Sequence, residues 1–132
     1  MPQDGLITLS SRYPARDTMD RLVAALGKRN MTVFARIDHA AGAASAGLEL
    51  RPTEVVIFGN PKGGTALMQD RQSAGIDLPL KALVWQDADG KVWLSYNDPA
   101  WIAQRHGLGG ASAGAVEAMA KGLAAIAADV TT

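Results

Sequence analysis

The stretch Leu80–Asn97, LKALVWQDADGKVWLSYN, decides the fold. Two runs rich in aliphatic and aromatic residues flank the turn sequence Asp87-Ala88-Asp89-Gly90, a pattern typical of a β-hairpin. The strands of a hairpin are antiparallel, so the sheet that contains them is not purely parallel. This hairpin therefore favours an α+β fold: a mixed or antiparallel sheet of about five strands, with helices packed mainly on one face in a two-layer sandwich.

The rest of the chain supplies the other elements of such a sandwich. Alternating or continuous apolar runs predict strands, and apolar residues at helical spacing between capping residues predict helices. The predicted strands before the hairpin are Leu6–Ser11, Met31–Ile37 and Thr53–Phe58. The predicted helices are one capped by Asp17, a short one from Asp38 to Gly47, one within Thr65–Gly75, one capped by Asp98, and an alanine-rich one that begins near Ser112.

The length of the hairpin loop sets which residue faces Lys81 on the neighbouring strand. A type I turn with a bulge at Gly90 places Lys81 opposite Asn97. A two-residue loop places it opposite Asp98, and a four-residue loop places it opposite Tyr96. All three registers leave the lysine beside the same polar segment.

Composition limits the class of protein. The 132 residues are most simply a single domain, 1–132, and contain 13 Lys and Arg against 13 Asp and Glu, so no net field favours nucleic acid or an anionic membrane. There is no cysteine, which excludes disulfides and thiolate metal sites. We expect no signal peptide and no membrane-spanning helix, and we expect a cytoplasmic location.

The glycine-rich turn Gly59–Gly64 invites comparison with a phosphate-binding loop. Thr65 and Ala66 stand where a Walker loop has Lys and Ser or Thr, so we expect no nucleoside triphosphate site. The favoured interpretation of this turn is structural. The turn links a strand to a helix, and the Asn60 amide forms hydrogen bonds that connect it to neighbouring groups. The alternative is an anion site at the helix start that includes Asn60 and Lys62.

Lys81 lies between Leu80 and Leu83, so we expect it to be partly buried and to need a partner. The structural interpretation is a salt bridge to Asp98 or Asp77 that holds the hairpin in place. The functional interpretation makes Lys81 an anion-binding group in a cleft.

The two histidines both lie at predicted helix ends. His39 follows Asp38 at a helix start, where the helix dipole disfavours a protonated ring, so its imidazole is a candidate ligand or base. The structural alternative is a histidine that packs or forms a hydrogen bond near the turn. His106 is most simply a residue that caps a helix C-terminus. Without cysteines, two histidines far apart in the sequence give only weak support for a metal site, and we predict no metal and no cofactor.

Several segments in combination resemble the domain of unknown function 302 family. They are IDHAAGAASAGLEL, VIFGNPKGGTALMQ and IDLPLKALVWQDADGKVWLSYNDPAWIAQRHGL, and the resemblance runs from about Leu6 to the last helix. It implies a compact α+β domain that forms a homodimer, found in mostly prokaryotic proteins and without an established activity.

Three functions remain open at this point. The first is a homodimeric small-ligand or anion-binding protein, the second a module for protein–protein interaction, and the third an enzyme that uses His39 as base and Lys81 as electrophile. The candidate ligand-binding residues are His39, Asn60, Lys62, Lys81, Asn97 and Asp98.

Overall fold

The structure, a computed structural model, describes residues 4–132 and contains five strands in one sheet. Every neighbouring pair is antiparallel, and the strand order is β1-β5-β4-β3-β2. The predicted α+β sandwich is confirmed. The strands are β1 Leu6–Ser11, β2 Thr32–Asp38, β3 Thr53–Gly59, β4 Leu80–Gln86 and β5 Val92–Asn97.

Five α-helices connect and cover these strands. The long helices α1 and α5 pack on each other and on one face of the sheet, whereas α3 and α4 pack against α5. The short helix α2 contacts β3 and has no buried residue. The helices are α1 Ala15–Lys28, α2 His39–Ser45, α3 Pro61–Asp70, α4 Pro99–His106 and α5 Gly110–Thr131, and a 3-10 helix, Gln72–Ile76, follows α3.

The hairpin has the first of the three predicted registers. The Asp87 N–H donates to the Lys91 carbonyl at 2.8 Å, and Gly90 has a φ of +83°, which suits a bulge at that position. The register that places Ala82 opposite Tyr96 continues to Lys81 and Asn97. The prediction that this lysine faces this asparagine is therefore confirmed.

One face of the sheet is covered by helices and forms the core. Val56 and Phe58 of β3 are fully buried there, and Met19 and Leu26 of α1 reach the same zero exposure. We call this the covered face. Its buried strand residues are Val56, Phe58, Leu80, Ala82, Val84, Val92, Leu94 and Tyr96.

The alternate strand residues point to the other side, which we call the open face. Because directly paired residues of neighbouring strands share a face, the register defines its members. Many of them are apolar, and most are half-buried or exposed rather than buried. They are Leu6, Thr8 and Ser10 of β1, Trp93, Ser95 and Asn97 of β5, Lys81, Leu83 and Trp85 of β4, Thr53, Val55 and Ile57 of β3, and Ala35 and Ile37 of β2.

Two helix starts differ from the sequence prediction. The helix predicted to begin at Asp17 begins at Ala15, directly after Pro14, so Asp17 lies in its first turn. The helix predicted within Thr65–Gly75 begins at Pro61, because Asn60 accepts a hydrogen bond that starts the helix earlier.

The last helix has the length and composition of a membrane span. An 18-residue window of α5 has a mean hydropathy of 1.2, and 22% of that window is buried. This corrects our expectation that no window qualifies, although a single helix of this kind is a weak indication because core helices pass the same test. Here Leu123, Ile126 and Val130 belong to the core. That the chain makes no membrane contact stays a prediction.

Candidate functional site

A groove of about 370 Å³ lies on the open face and brings together three of the predicted site residues. Its polar residues include His39, Lys81 and Asn97, and its apolar wall includes Val55, Leu83 and Trp85. His39 comes from the start of α2, whereas the other two lie on the paired strands β4 and β5. Helix and hairpin thus place a possible base, a cation and an amide around one apolar surface.

Lys81 is half-buried in this groove and forms no salt bridge within residues 4–132. Neither predicted partner is available to it. Asp98 is 5% exposed, and its Oδ1 accepts a hydrogen bond from the Ala100 N–H at 3.0 Å, which caps α4. Asp77 pairs with Arg105 instead, at 3.0 Å. The predicted salt bridge of Lys81 is therefore wrong, and Asp98 lies outside the groove.

The floor of the groove is held by hydrogen bonds between side chains. The Trp85 Nε1–H donates to the Ser95 Oγ at 3.0 Å, and that hydroxyl also bonds the Thr8 Oγ1 at 2.9 Å. Ser95 is 3% exposed, so these bonds satisfy a group that water does not reach. The Trp85 ring also stacks on Trp93, with ring centroids 6.1 Å apart. The aromatic wall is therefore fixed in orientation.

The tryptophan pair is further anchored at the hairpin turn. The Asp87 Oδ2 accepts from the Trp93 Nε1–H at 2.9 Å, and the Oδ1 accepts from the Asp89 and Lys91 N–H groups. These bonds, led by the one from Trp93, lower the pKa of Asp87. Burial raises the pKa of Tyr96, with a smaller contribution from the Asp98 charge. The hairpin turn thus carries Asp87, a carboxylate whose ionised form is stabilised by the hydrogen bonds of the folded state.

His39 is placed by a helix cap. The Asp38 Oδ1 accepts from the Ala41 N–H at 2.9 Å, so the predicted cap of α2 is confirmed. His39 is exposed and reaches the groove from its rim. The enzyme hypothesis required His39 and Lys81 to share a surface, and they do. That a reaction occurs there stays a prediction.

Asn60 and Lys62 lie elsewhere. The Asn60 Oδ1 accepts from the Lys62 N–H at 2.9 Å and caps α3, which supports the structural interpretation of the glycine-rich turn. Asn60 lines a separate apolar cavity, whereas the exposed Lys62 lines neither this cavity nor the groove in the described part of the chain. Of the six candidate residues, the groove gathers His39, Lys81 and Asn97, the cavity has Asn60, and Lys62 and Asp98 line neither.

A second polar cluster was not foreseen from the sequence. The His106 ring bonds the Asp77 carboxylate through Nε2 at 2.5 Å and the Ser73 hydroxyl through Nδ1 at 2.9 Å. This connectivity resembles a hydrolase triad, but Arg105 shares the carboxylate and Ser73 lies on the outside of the 3-10 helix. We assign the cluster a structural role, in which it ties the 3-10 helix to α4. His106 itself precedes the capping Gly107, whose φ is 64°.

Metal ligands do not gather in the part of the chain that the structure describes. Within residues 4–132, no three His, Asp or Glu side chains form a group that would hold an ion. The absence of a metal or cofactor stays a prediction. The groove places the Lys81 cation and the Asn97 amide beside an apolar wall.

The sequence matches a known family over most of its length. The family model described as "Domain of unknown function DUF302" covers residues 7–126. A crystal structure of an uncharacterized conserved protein DUF302 from Bacillus stearothermophilus superposes with a TM-score of 0.84, covering 97% of this chain and 98% of that one at 19% identity. The chain therefore belongs to the DUF302 family, and the likeness in structure confirms the fold.

Curated relatives match at higher identity but are about twice as long. The chain is 54% identical over 118 residues to a protein from Brucella suis biovar 1 named fluoride-specific ion channel FluC 1, covering 89% of this chain and 46% of that protein. A Brucella melitensis biotype 1 protein named fluoride-specific ion channel FluC 2 matches at the same identity, with 44% of its length covered. The chain thus spans less than half of these relatives.

Proposed function

We propose that this DUF302 domain binds a small organic anion in the groove on the open face of its sheet. The observation that carries the proposal is Lys81, a half-buried ammonium on a largely apolar surface with no salt bridge in the described chain. Removing a charge from water without a partner is unfavourable. A bound carboxylate would supply that partner.

The other lining residues indicate the shape of the ligand. Leu83, Val55 and the fixed Trp85 ring offer an apolar wall for a hydrocarbon or aromatic body. Asn97 and His39 add hydrogen-bonding groups beside the lysine. The arrangement favours a carboxylate carried on an apolar body over a fully hydrated inorganic ion.

Thermal unfolding with a panel of ligands tests this function. Benzoate and short fatty acids should raise the melting temperature, since a ligand at 100 times its dissociation constant stabilises the folded state by about 2.7 kcal/mol. Lys81→Met should abolish that shift. Lys121→Met is the matched control, because Lys121 lies on the exposed side of α5 in a pair with Glu117. No shift at millimolar carboxylate, or an equal shift in Lys81→Met, would contradict the proposal.

We also propose that the domain is a homodimer that pairs through its open face. Leu6 is 45% exposed and Ile37 is 42% exposed at opposite edges of that face, with the apolar groove residues between them. Contiguous apolar surface of this kind is typical of an interaction site. A second copy would enclose the groove and its ligand.

Light scattering of two variants tests the pairing. Ile37→Glu places a charge on the open face and should convert a dimer to a monomer. Ala124→Glu is the control. It places the same charge on the exposed side of the alanine-rich helix α5, which is the alternative surface for pairing. A wild-type monomer at high micromolar concentration would refute the homodimer, and a dimer broken only by Ala124→Glu would move the interface to α5.

A second candidate role is suggested by the relatives named as fluoride channels. An ion channel needs several membrane spans, and among the described residues only α5 has the required length and apolarity while four of its residues belong to the core. We therefore infer that this domain would accompany such a channel rather than form its pore. Sodium fluoride and sodium chloride at equal ionic strength should give the same melting temperature if the groove prefers organic anions. A fluoride-specific shift would favour a fluoride-sensing role instead.

A further inference from the structure

The second cavity of interest lies where the glycine-rich turn meets α5. Its volume is about 230 Å³, and it is open to solvent on one side at Phe34, which is 52% exposed. The end of β3, the start of α3 and the segment before β4 form its walls. The apolar lining consists of Phe34, Met68, Leu78, Pro79, Leu80 and Met119.

Gly63 and Gly64, in the first turn of α3, allow these walls to approach one another. A Cβ on Gly63 would lie 3.1 Å from the Met119 methyl carbon, which is tighter than ordinary contact. A Cβ on Gly64 would lie 3.9 Å from the Leu78 side chain, on the cavity wall. The absence of a side chain at Gly63 therefore lets α3 lie close to α5, and Gly64 leaves room that a larger residue would fill.

Two polar groups stand at the edge of this apolar space. The Asn60 side chain uses its oxygen to cap α3, and its amide nitrogen donates to no acceptor within residues 4–132. The Thr65 hydroxyl makes no hydrogen bond in the same described range either. No charged side chain of the described chain lines the cavity. The site thus offers hydrogen-bond donors without a compensating charge.

We propose that this cavity binds a neutral monocyclic aromatic compound that carries one hydrogen-bond acceptor. An apolar cavity of about 150 Å³ in another protein accommodates benzene, so the larger space here has room for a ring and a small substituent. The two methionines suit an aromatic guest because thioether sulfur makes favourable contacts with ring edges. The acceptor of the ligand would replace water as the partner of the exposed Asn60 amide or Thr65 hydroxyl. The chemistry is the opposite of that in the groove, which calls for an anion.

Methyl NMR spectra of the methionines test the proposal with acetophenone as the probe. The wild-type protein should show saturable shifts of the Met68 and Met119 methyl signals in the millimolar range. Benzoate, which has a similar size but carries a charge, should leave these two signals in place. Shifts that rise linearly with acetophenone, without saturation, would overturn the proposal.

Two glycine variants provide a matched pair. Gly64→Val places a side chain in the cavity and should weaken acetophenone binding by about tenfold or more. Gly114→Val makes the same change on α5, where an added Cβ meets nothing within 4 Å, and should leave binding unchanged. Equal affinities in the two variants would overturn the assignment to this cavity.

A smaller change guards against a folding defect in Gly64→Val. Thr65→Val keeps the size of the side chain and removes its hydroxyl, so acetophenone should bind about fivefold more weakly if that hydroxyl donates to the ketone. Asn60→Ala provides the corresponding test of the amide. If both variants bind as tightly as the wild type, the polar part of the proposal is wrong. Lys81→Met should bind acetophenone normally, because it changes the other site.

Discussion

The covered face and the open face of the sheet alternate along the same strands but differ in what contacts them. Phe58 is fully buried under the helices, whereas its neighbour Ile57 is half-buried on the open face. The covered face is apolar at its centre and carries the charged pair Arg36–Glu54 near the β2 edge, whereas the open face mixes Trp85 and Leu83 with Lys81. A sheet with one solvated face normally alternates apolar with polar residues. Apolar residues on the open face are therefore typical of a surface that binds a ligand or a partner.

The largest expected effect compares neighbours on β3. Phe58→Ala should lower the free energy of unfolding by about 3–5 kcal/mol, because it leaves a cavity in the core. Ile57→Ala should cost about 1–2 kcal/mol in the monomer, since the side chain is only half-buried. Urea denaturation measures both values. Equal losses at all protein concentrations would show that the two faces are packed alike, and a loss for Ile57→Ala that grows with concentration would place the dimer on the open face.

A smaller effect is expected for the buried hydroxyl of the open face. Ser95→Ala removes the acceptor of the Trp85 Nε1–H and the partner of Thr8, so it should destabilise the fold by about 1–2 kcal/mol. Ser10→Ala, at an exposed position on the same face, should stay within about 0.5 kcal/mol of the wild type. If the two substitutions cost the same, the hydrogen bonds under the groove do not stabilise the open face.

The carboxylate at the hairpin turn makes part of the open face sensitive to acid. The pKa of Asp87 is lowered below its ordinary value of 3.8, so its ionised form favours the folded state at higher pH. That contribution is fully present above the ordinary value and is lost as the pH falls through the lowered one. Asp87→Asn should therefore be less stable than the wild type at pH 7, and the difference should shrink below about pH 4. Asp89→Asn is the control in the same turn, and pH-dependent thermal unfolding of all three proteins gives the comparison. A difference that persists at low pH would contradict the electrostatic account.

The smallest expected effect on stability is at Lys81. Without a salt bridge in the described chain, Lys81→Met should change the free energy of unfolding by no more than about 0.5 kcal/mol when no ligand is present. A loss above about 1 kcal/mol would show that the lysine has a structural partner. The measurement therefore separates a binding residue from a structural one on the same face.

Local signals in the sequence were sufficient for the hairpin and its register. The turn Asp87–Gly90 sets the pairing over a few residues, and from it Lys81 and Asn97 follow as neighbours. The predicted pairing of Asp98 with Lys81 is wrong, because strand alternation places Asp98 on the opposite side from Asn97 and its carboxylate caps α4. The sequence also predicts Asp98 as the cap of a helix, and a carboxylate that caps a helix is turned toward the backbone of that helix.

Features that depend on packing between distant segments were not predictable. The bond between Ser73 and His106 joins residues 33 positions apart, and it exists because the 3-10 helix packs beside α4. The cavity near Gly64 depends in the same way on how closely α3 approaches Met119 of α5. A single sequence supplies no distances between such elements. In the sequence, Gly63 and Gly64 indicate part of a link from strand to helix, and nothing local to them indicates that α5 lies close by.

The pairing of β1 with β5 leads us to expect that these two strands pair late in folding. Thr8 and Ser95 are 87 positions apart, yet their hydroxyls bond across neighbouring strands. The β4–β5 hairpin closes a loop of a few residues, so it is able to form early, whereas β1 must wait until that hairpin presents a strand to pair with. Chains dominated by such distant pairings fold more slowly than helical bundles of equal stability. We therefore expect the groove floor, which joins Thr8 of the first strand to Ser95 of the last, to be among the last parts of the molecule to become ordered during refolding.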